Sequence, residues 1–310
     1  MKNVVVVEDL VKHYGKIKAV DGVSFSVYEN EIFGMVGPNG AGKTTTIECI
    51  EGLKKPDTGV IEVLGLNPAT NRERIYERIG VQLQETSFQD RIKIYEICEL
   101  FVSFYKRPLS YIELLKRFDL YEFKNHYVMK LSGGQKQKLS IILALISNPE
   151  IIFLDELTTG LDPKARRDMW QIVKEMRSEG RTIFLTTHYM EEAEELCDRV
   201  AIVDEGRIIA LDTPEGLIEK SGIEHTVTFE TENIDIEALK RVNGVHQITF
   251  VNGEVKILGL GDDLLKDVVD FLYANNIYFK NLKTKQPNLE DTFLKFTGKE
   301  YIGGNNENFN

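Results

Sequence analysis

Short apolar runs alternate with stretches of helical period along the first two thirds of the chain. The runs fall near residues 4–8, 23–28, 32–36, 60–64, 79–83, 151–155, 182–186 and 199–203. Helical patterns occupy 44–53, 110–118, 135–147, 164–178 and 189–197 between them. This alternation predicts an α/β core around a largely parallel sheet. In 164–178, Met169, Ile172, Val173 and Met176 recur at helical spacing and are expected in the core, with Trp170 beside them carrying no special site. Glu191, Glu192, Glu194 and Glu195 in 189–197 read as a solvated face. Past Gly222 the rhythm changes. Strands are expected over 225–230, 245–251, 254–258 and 277–282, with helices over 234–242 and 262–274. Asn252-Gly253 is a strong hairpin turn. The order βαββαβ predicts a small α+β, ferredoxin-like domain, closed by a helix from Asn288 to Lys295. Gly303 to Asn310 are Gly- and Asn-rich and are expected to be disordered.

Residues 37–44, Gly37-Pro38-Asn39-Gly40-Ala41-Gly42-Lys43-Thr44, fit the phosphate-cradling pattern G-x-x-x-x-G-K-[ST]. The pattern needs a strand before it and a helix after it, and Glu31 to Val36 and Thr44 to Leu53 supply both. The glycines let the backbone turn tightly and aim N–H groups at phosphate oxygens. The helix start adds its positive dipole end. Lys43 offers a cation to the β- and γ-phosphates, and the Thr44 hydroxyl is placed to bind Mg²⁺. Ile151 to Leu154 lead into Asp155 and Glu156, a buried strand delivering two acids to its C-terminal edge, where open α/β sheets bind ligands.

Leu131-Ser132-Gly133-Gly134-Gln135 resembles the signature of ATP-binding cassette (ABC) proteins. Ser132 suits a helix N-cap, and Gly133 and Gly134 leave backbone N–H groups open to an anion. The resemblance covers about residues 1–220 strongly and 224–300 loosely. It implies a P-loop cassette with a RecA-like α/β core, an antiparallel β subdomain and a helical subdomain at about 88–147. The cassette spans 1–222, an accessory domain 223–300, and a tail 301–310.

Residue by residue, the resemblance implies a Walker B strand in which Asp155 holds Mg²⁺ and Glu156 polarises the attacking water. Tyr14 matches the aromatic that stacks on adenine. Of Gln82 and Gln84, register against the family pattern selects Gln84, which touches Mg²⁺ or the attacking water. Gly160-Leu161-Asp162 resembles the D-loop. His188 resembles the switch histidine at the γ-phosphate. ATP is thereby expected between residues 37–45 (through Thr45) of one chain and Ser132–Gln135 of another.

At 310 residues the chain is long enough for about two domains. Its formal charge is −11, which argues against broad nucleic-acid binding. The three cysteines, Cys49, Cys98 and Cys197, are odd in number and widely spaced, suggesting reduced thiols. No run approaches the roughly 20 apolar residues of a spanning helix. Any membrane role is therefore expected to be peripheral, on the cytoplasmic face, through a partner. What the resemblance implies is the ATPase subunit of an exporter similar to the ABC-2-type exporters, using ATP and Mg²⁺, with a second cassette and a separate transmembrane permease as partners. An importer ATPase and a non-transport ATPase are the alternatives.

Overall fold

The computed structural model describes residues 2–82, 91–261 and 263–298. They form two compact units, Met1–Pro214 and Glu215–Glu300. The division falls at Pro214, eight residues before Gly222, at the start of a helix absent from the sequence reading, Pro214–Ser221.

The first unit runs β1 (Asn3–Tyr14), β2 (Ile17–Tyr28), β3 (Ile32–Val36), α1 (Lys43–Ile50), β4 (Thr58–Val63), α2 (Arg72–Tyr76) and β5 (Ile79–Gln82). It continues through α3 (Ile94–Ser103), α4 (Tyr111–Arg117), α5 (Gly133–Leu145), β6 (Ile151–Asp155), α6 (Pro163–Ser178), β7 (Thr182–Thr187), α7 (Met190–Leu196), β8 (Arg199–Asp204) and β9 (Arg207–Asp212). Six strands form one sheet in the order β5-β6-β7-β3-β8-β9, parallel except for β9. Strands β3, β6 and β7 are buried along their whole length, as parallel strands covered on both faces must be. A separate antiparallel sheet, β2-β1-β4, makes the β subdomain. The two sheets meet through aromatic rings. Phe25 of β2 stacks on Phe33 of β3 at 5.1 Å, and Phe33 on Phe184 of β7 at 5.5 Å. Such pairs add about 0.5–1.5 kcal/mol beyond the area they bury. No helix among the described residues is long and apolar enough to cross a membrane.

Register sets the site. Val36 pairs with Thr187, and Asp155 with Thr186. The three central strands therefore end level, and Gly37, Glu156 and His188 leave the sheet at the same edge.

One expected solvated face is corrected. Glu192 of α7 is buried at 2% exposure, whereas the Glu191 and Glu195 side chains are exposed. Helical rotation turns Glu192 toward Trp170 of α6, whose indole N–H binds it. Trp170 thus donates to a buried acceptor as well as neighbouring the core.

The second unit comprises α8 (Pro214–Ser221), β10 (His225–Glu230), α9 (Ile236–Leu239), β11 (Val245–Val251), β12 (Glu254–Gly259), α10 (Leu264–Ala274), β13 (Lys280–Lys285) and α11 (Leu289–Thr297). Its antiparallel sheet has the order β11-β12-β10-β13, the arrangement of a ferredoxin-like fold. Asn252 and Gly253 both have positive φ, 54° and 85°, as a two-residue type I′ hairpin requires. Val227, Phe229, Val255 and Ile257 of the sheet pack on Leu264, Val268 and Leu272 of α10 in a core of their own.

Candidate active site

The loop after β3 is clamped from two sides. A Cβ on Gly37 would stand 2.1 Å from the Val203 carbonyl oxygen, and one on Gly42 2.2 Å from that of Ala19. Gly42 also has φ of 100°. Only glycine satisfies both conditions there. Gly206, in the β8–β9 turn, donates its N–H to the Ala41 carbonyl at 3.0 Å and accepts from Asp21 N–H at 2.8 Å. The loop is therefore braced by the β9 hairpin and by the strand that carries Ala19.

Tyr14, Asn39, Gly40, Gly42, Lys43, Thr44, Thr45 and Glu156, with Ala19, line a cleft of about 400 Å³. Tyr14 stands at its rim, 42% exposed, with the Lys54 ammonium 5.2 Å from its ring. Pro38 and Ala41 contribute backbone to the loop: the Pro38 carbonyl accepts from Ala41 N–H at 3.2 Å.

Lys43 is buried, and its ammonium donates to the carbonyls of Gly37 at 2.8 Å and Pro38 at 3.1 Å. Glu156 Oε1 lies 3.5 Å away. Burial lowers the Lys43 pKa, and the Glu156 carboxylate works against that. On the other side of Glu156, Oε2 stands 3.3 Å from His188 Nδ1, off the angle of a full hydrogen bond, and accepts from the Thr159 hydroxyl at 3.3 Å. The His188 ring holds the Glu156 carboxyl below its usual range, and Lys43 adds to this against the effect of burial. Glu156 is thus kept ionised, as an acceptor of a proton must be. Its backbone has φ of 50°, and its N–H donates to the Thr186 carbonyl at 3.0 Å.

Asp155 is also buried. Burial pushes its carboxyl up, opposed by hydrogen bonds from the hydroxyls of Thr186 and Thr44. Asp155 and Thr44 offer only oxygen donors, one of them a desolvated carboxyl whose charge a cation would relieve. That donor set suits a hard divalent ion such as Mg²⁺. Thr186 was not among the sequence candidates. The signal for it was the polar pair Thr186-Thr187 that ends the apolar run Ile183-Phe184-Leu185 inside a strand.

Ser132 caps α5: its hydroxyl accepts from Gln135 N–H at 3.3 Å, and Gln135 Oε1 accepts from Ser132 N–H at 3.0 Å. This capping box presents Gly133 and Gly134 at the helix start. None of these four residues lines the cleft of its own chain. They sit beside the D-loop segment instead: a Cβ on Gly133 would be 3.9 Å from Leu161, and one on Gly134 3.7 Å from Ala165. Asp162 caps α6, accepting from Lys164 N–H at 2.9 Å and Ala165 N–H at 3.0 Å. Gln84 lies outside the described residues.

A third buried acid, coupled to Asp155, belongs to the helix that follows the loop. Glu51, at the end of α1, is 2% exposed, and its carboxyl is pushed up to about 8 by burial and by repulsion from Asp155 and Glu48. Between the ordinary carboxylate value and about 8, the native state binds more protons here than the unfolded chain. This group therefore makes stability fall as pH rises through that window. Glu51→Gln removes the penalty. Measured in EDTA and followed by thermal melts, its stability advantage over the parent grows from about pH 5 to pH 8 and levels off above, reaching on the order of a few kcal/mol. A Tm difference independent of pH refutes this.

The comparisons with known proteins agree with this geometry. The family model described as ABC transporter matches residues 20–159, which include the P-loop, the Ser132 segment and Glu156. A linearmycin resistance ATP-binding protein of Bacillus subtilis is 32% identical over 303 residues, covering 94% of this chain and 97% of its own. A Nod factor export ATP-binding protein of Rhizobium meliloti is 38% identical over 299 residues, covering 94% of this chain and 87% of its own. Among solved structures, an ATP-binding subunit of an ABC transporter matches with a TM-score of 0.65 at 29% identity, over 71% of this chain and 93% of that one. A dimeric bacterial ABC transporter cassette matches with a TM-score of 0.60 at 28% identity, over 67% of this chain and 98% of that one. The chain belongs to the ABC transporter family, as one of its ATP-binding subunits, and it is an ATPase.

Proposed function

We propose that the chain hydrolyses ATP to drive export through a separate transmembrane permease. The observation that carries the hydrolytic half is the convergence of Lys43, Asp155, Glu156 and Thr186 with His188 at the level ends of three adjacent strands. The export half is supported by matches over 94% of the chain to proteins named for drug resistance and Nod factor export, which leave too little unmatched to omit the second unit.

Lys43 and the amides of Gly40 and Gly42 bind the β- and γ-phosphates. Tyr14 takes the adenine ring. Glu156 accepts the proton of the attacking water, and His188 contacts the γ-phosphate. Thr44 and Asp155, with Gln84 by the family pattern, hold Mg²⁺, which neutralises charge on the phosphate oxygens when bound. The residues act by positioning and electrostatic stabilisation, as phosphoryl transfer requires. The signature residues Ser132 to Gln135 stand outside their own chain's cleft, which suits a site completed by a second cassette, homotypic or not. A solved cassette of the family is dimeric.

Light scattering tests this arrangement. Glu156→Gln protein is expected to dimerise on addition of ATP, since the nucleotide stays in place. Adding Ser132→Arg puts a bulky side chain at the γ-phosphate contact and prevents the dimer. An ATP-dependent dimer that persists with Ser132→Arg refutes the composite site.

A further inference from the structure

Thr186 brings a hydroxyl into β7, where a parallel strand covered on both faces calls for an apolar side chain. It is 1% exposed, so the hydroxyl must find its partners inside the protein. It finds two. It donates to Oδ1 of Asp155, the residue it faces across the β6–β7 pairing. It accepts from the Glu156 backbone N–H at 3.2 Å, and the Thr186 carbonyl accepts from the same N–H at 3.0 Å. A hydroxyl has one proton to give. The amide on one side can only donate, so that proton goes to the carboxylate and the direction of the Asp155 bond is fixed. The same amide belongs to the residue with φ of 50°, where the chain leaves the sheet. One hydroxyl thus bonds both the last carboxylate of β6 and the first residue of the turn after it. Asp155 is 5% exposed. A carboxylate in that place can turn about its own side-chain bonds, and one that serves a cation must present a chosen oxygen. Hydrogen bonds to ligating carboxylates set that orientation.

We propose that Thr186 is a positioning residue for the divalent cation: by holding Oδ1 it sets the orientation in which Asp155 meets Mg²⁺. It acts through Asp155 and touches neither ion nor nucleotide. The inference rests on the reading of Asp155 and Thr44 as the cation's donors. Glu156 keeps its bond to the Thr186 carbonyl whatever side chain stands at 186, so the turn that carries the proposed base does not depend on the hydroxyl. Loss of the hydroxyl is therefore felt through the cation first.

The test is made on the full chain with a non-hydrolysable ATP analogue, whose affinity is measured by isothermal titration once in Mg²⁺ and once in EDTA. Thr186→Val keeps the side chain's size and removes its proton. It is expected to weaken analogue binding in Mg²⁺ by about 10-fold and to leave binding in EDTA nearly unchanged. Thr186→Ser restores the donor and should match the parent in both buffers. In an Asp155→Ala background, Thr186→Val should add little in Mg²⁺, because its route to the cation is already cut. A merely structural role would instead lower both affinities together. Undiminished binding of Thr186→Val in Mg²⁺, or equal losses in Mg²⁺ and EDTA, overturns the inference and leaves Asp155 as a metal residue. A parent that binds no better in Mg²⁺ than in EDTA, or an Asp155→Ala protein that keeps the parent's gain from Mg²⁺, overturns the metal assignment and this inference together. If Thr186→Val does not fold, Thr186→Ala removes the same proton and is read by the same pair of titrations.

Discussion

Glu156→Gln slows ATP turnover by about 10²- to 10⁴-fold and leaves nucleotide binding in place. The amide fills the same space between Lys43 and His188 but cannot take a proton from water. Asp155 and Thr44 are untouched, so the proposed metal donors remain. The pair is also less charged after the change: Lys43, 3.5 Å from Oε1, loses a partner and faces the phosphates alone. ATP affinity should therefore hold or rise. Single-turnover hydrolysis with a parallel binding titration separates the two effects. Hydrolysis at the parental rate would mean that Glu156 is not the base.

Lys43→Ala abolishes measurable turnover and sharply weakens ATP binding. Two losses combine. The phosphates lose the cation at the centre of the loop, and Glu156 is left as a buried charge without its ammonium neighbour. Charge left unpaired in a buried site costs about 3–5 kcal/mol. Part of the damage should therefore appear as a lower Tm even without nucleotide. Isothermal titration with ATP and a thermal melt check both halves. Unchanged affinity would refute the P-loop assignment.

The sheet was legible where burial leaves no alternative. Strands β3 and β6 are continuous apolar runs because both their faces are covered, and their limits were read to the residue. The hairpin of β1 and β2 was read only in part. Lys12, His13 and Asp21 lie on its solvated stretch, and its register shifts at several points, so no clean alternation marks it. Strand β9 escaped notice for the same reason, being half-exposed throughout, although Glu205-Gly206 signals its turn. In the site, Lys43, Asp155, Glu156 and His188 each stand in a local motif and could be named from it. Thr186 could not, and outside the site neither could Glu192. Their partners are 31 and 22 residues away in sequence, and only strand pairing and helix packing bring them into contact.

The backbone of Glu156 carries a consequence of its own. At φ of 50° it occupies the left-handed region, where an L-residue pays on the order of 1–2 kcal/mol for its Cβ. A glycine would sit there at ease but would bring no carboxylate. The fold thus holds its proposed base on a turn whose geometry suits another residue, and gives up stability to do so. Two inactive variants expose that concession. Glu156→Gly and Glu156→Ala both lack the acid, but the glycine protein should melt at the higher temperature, reversing the usual order of the two residues. Evolutionary drift toward robustness at this position therefore runs against turnover.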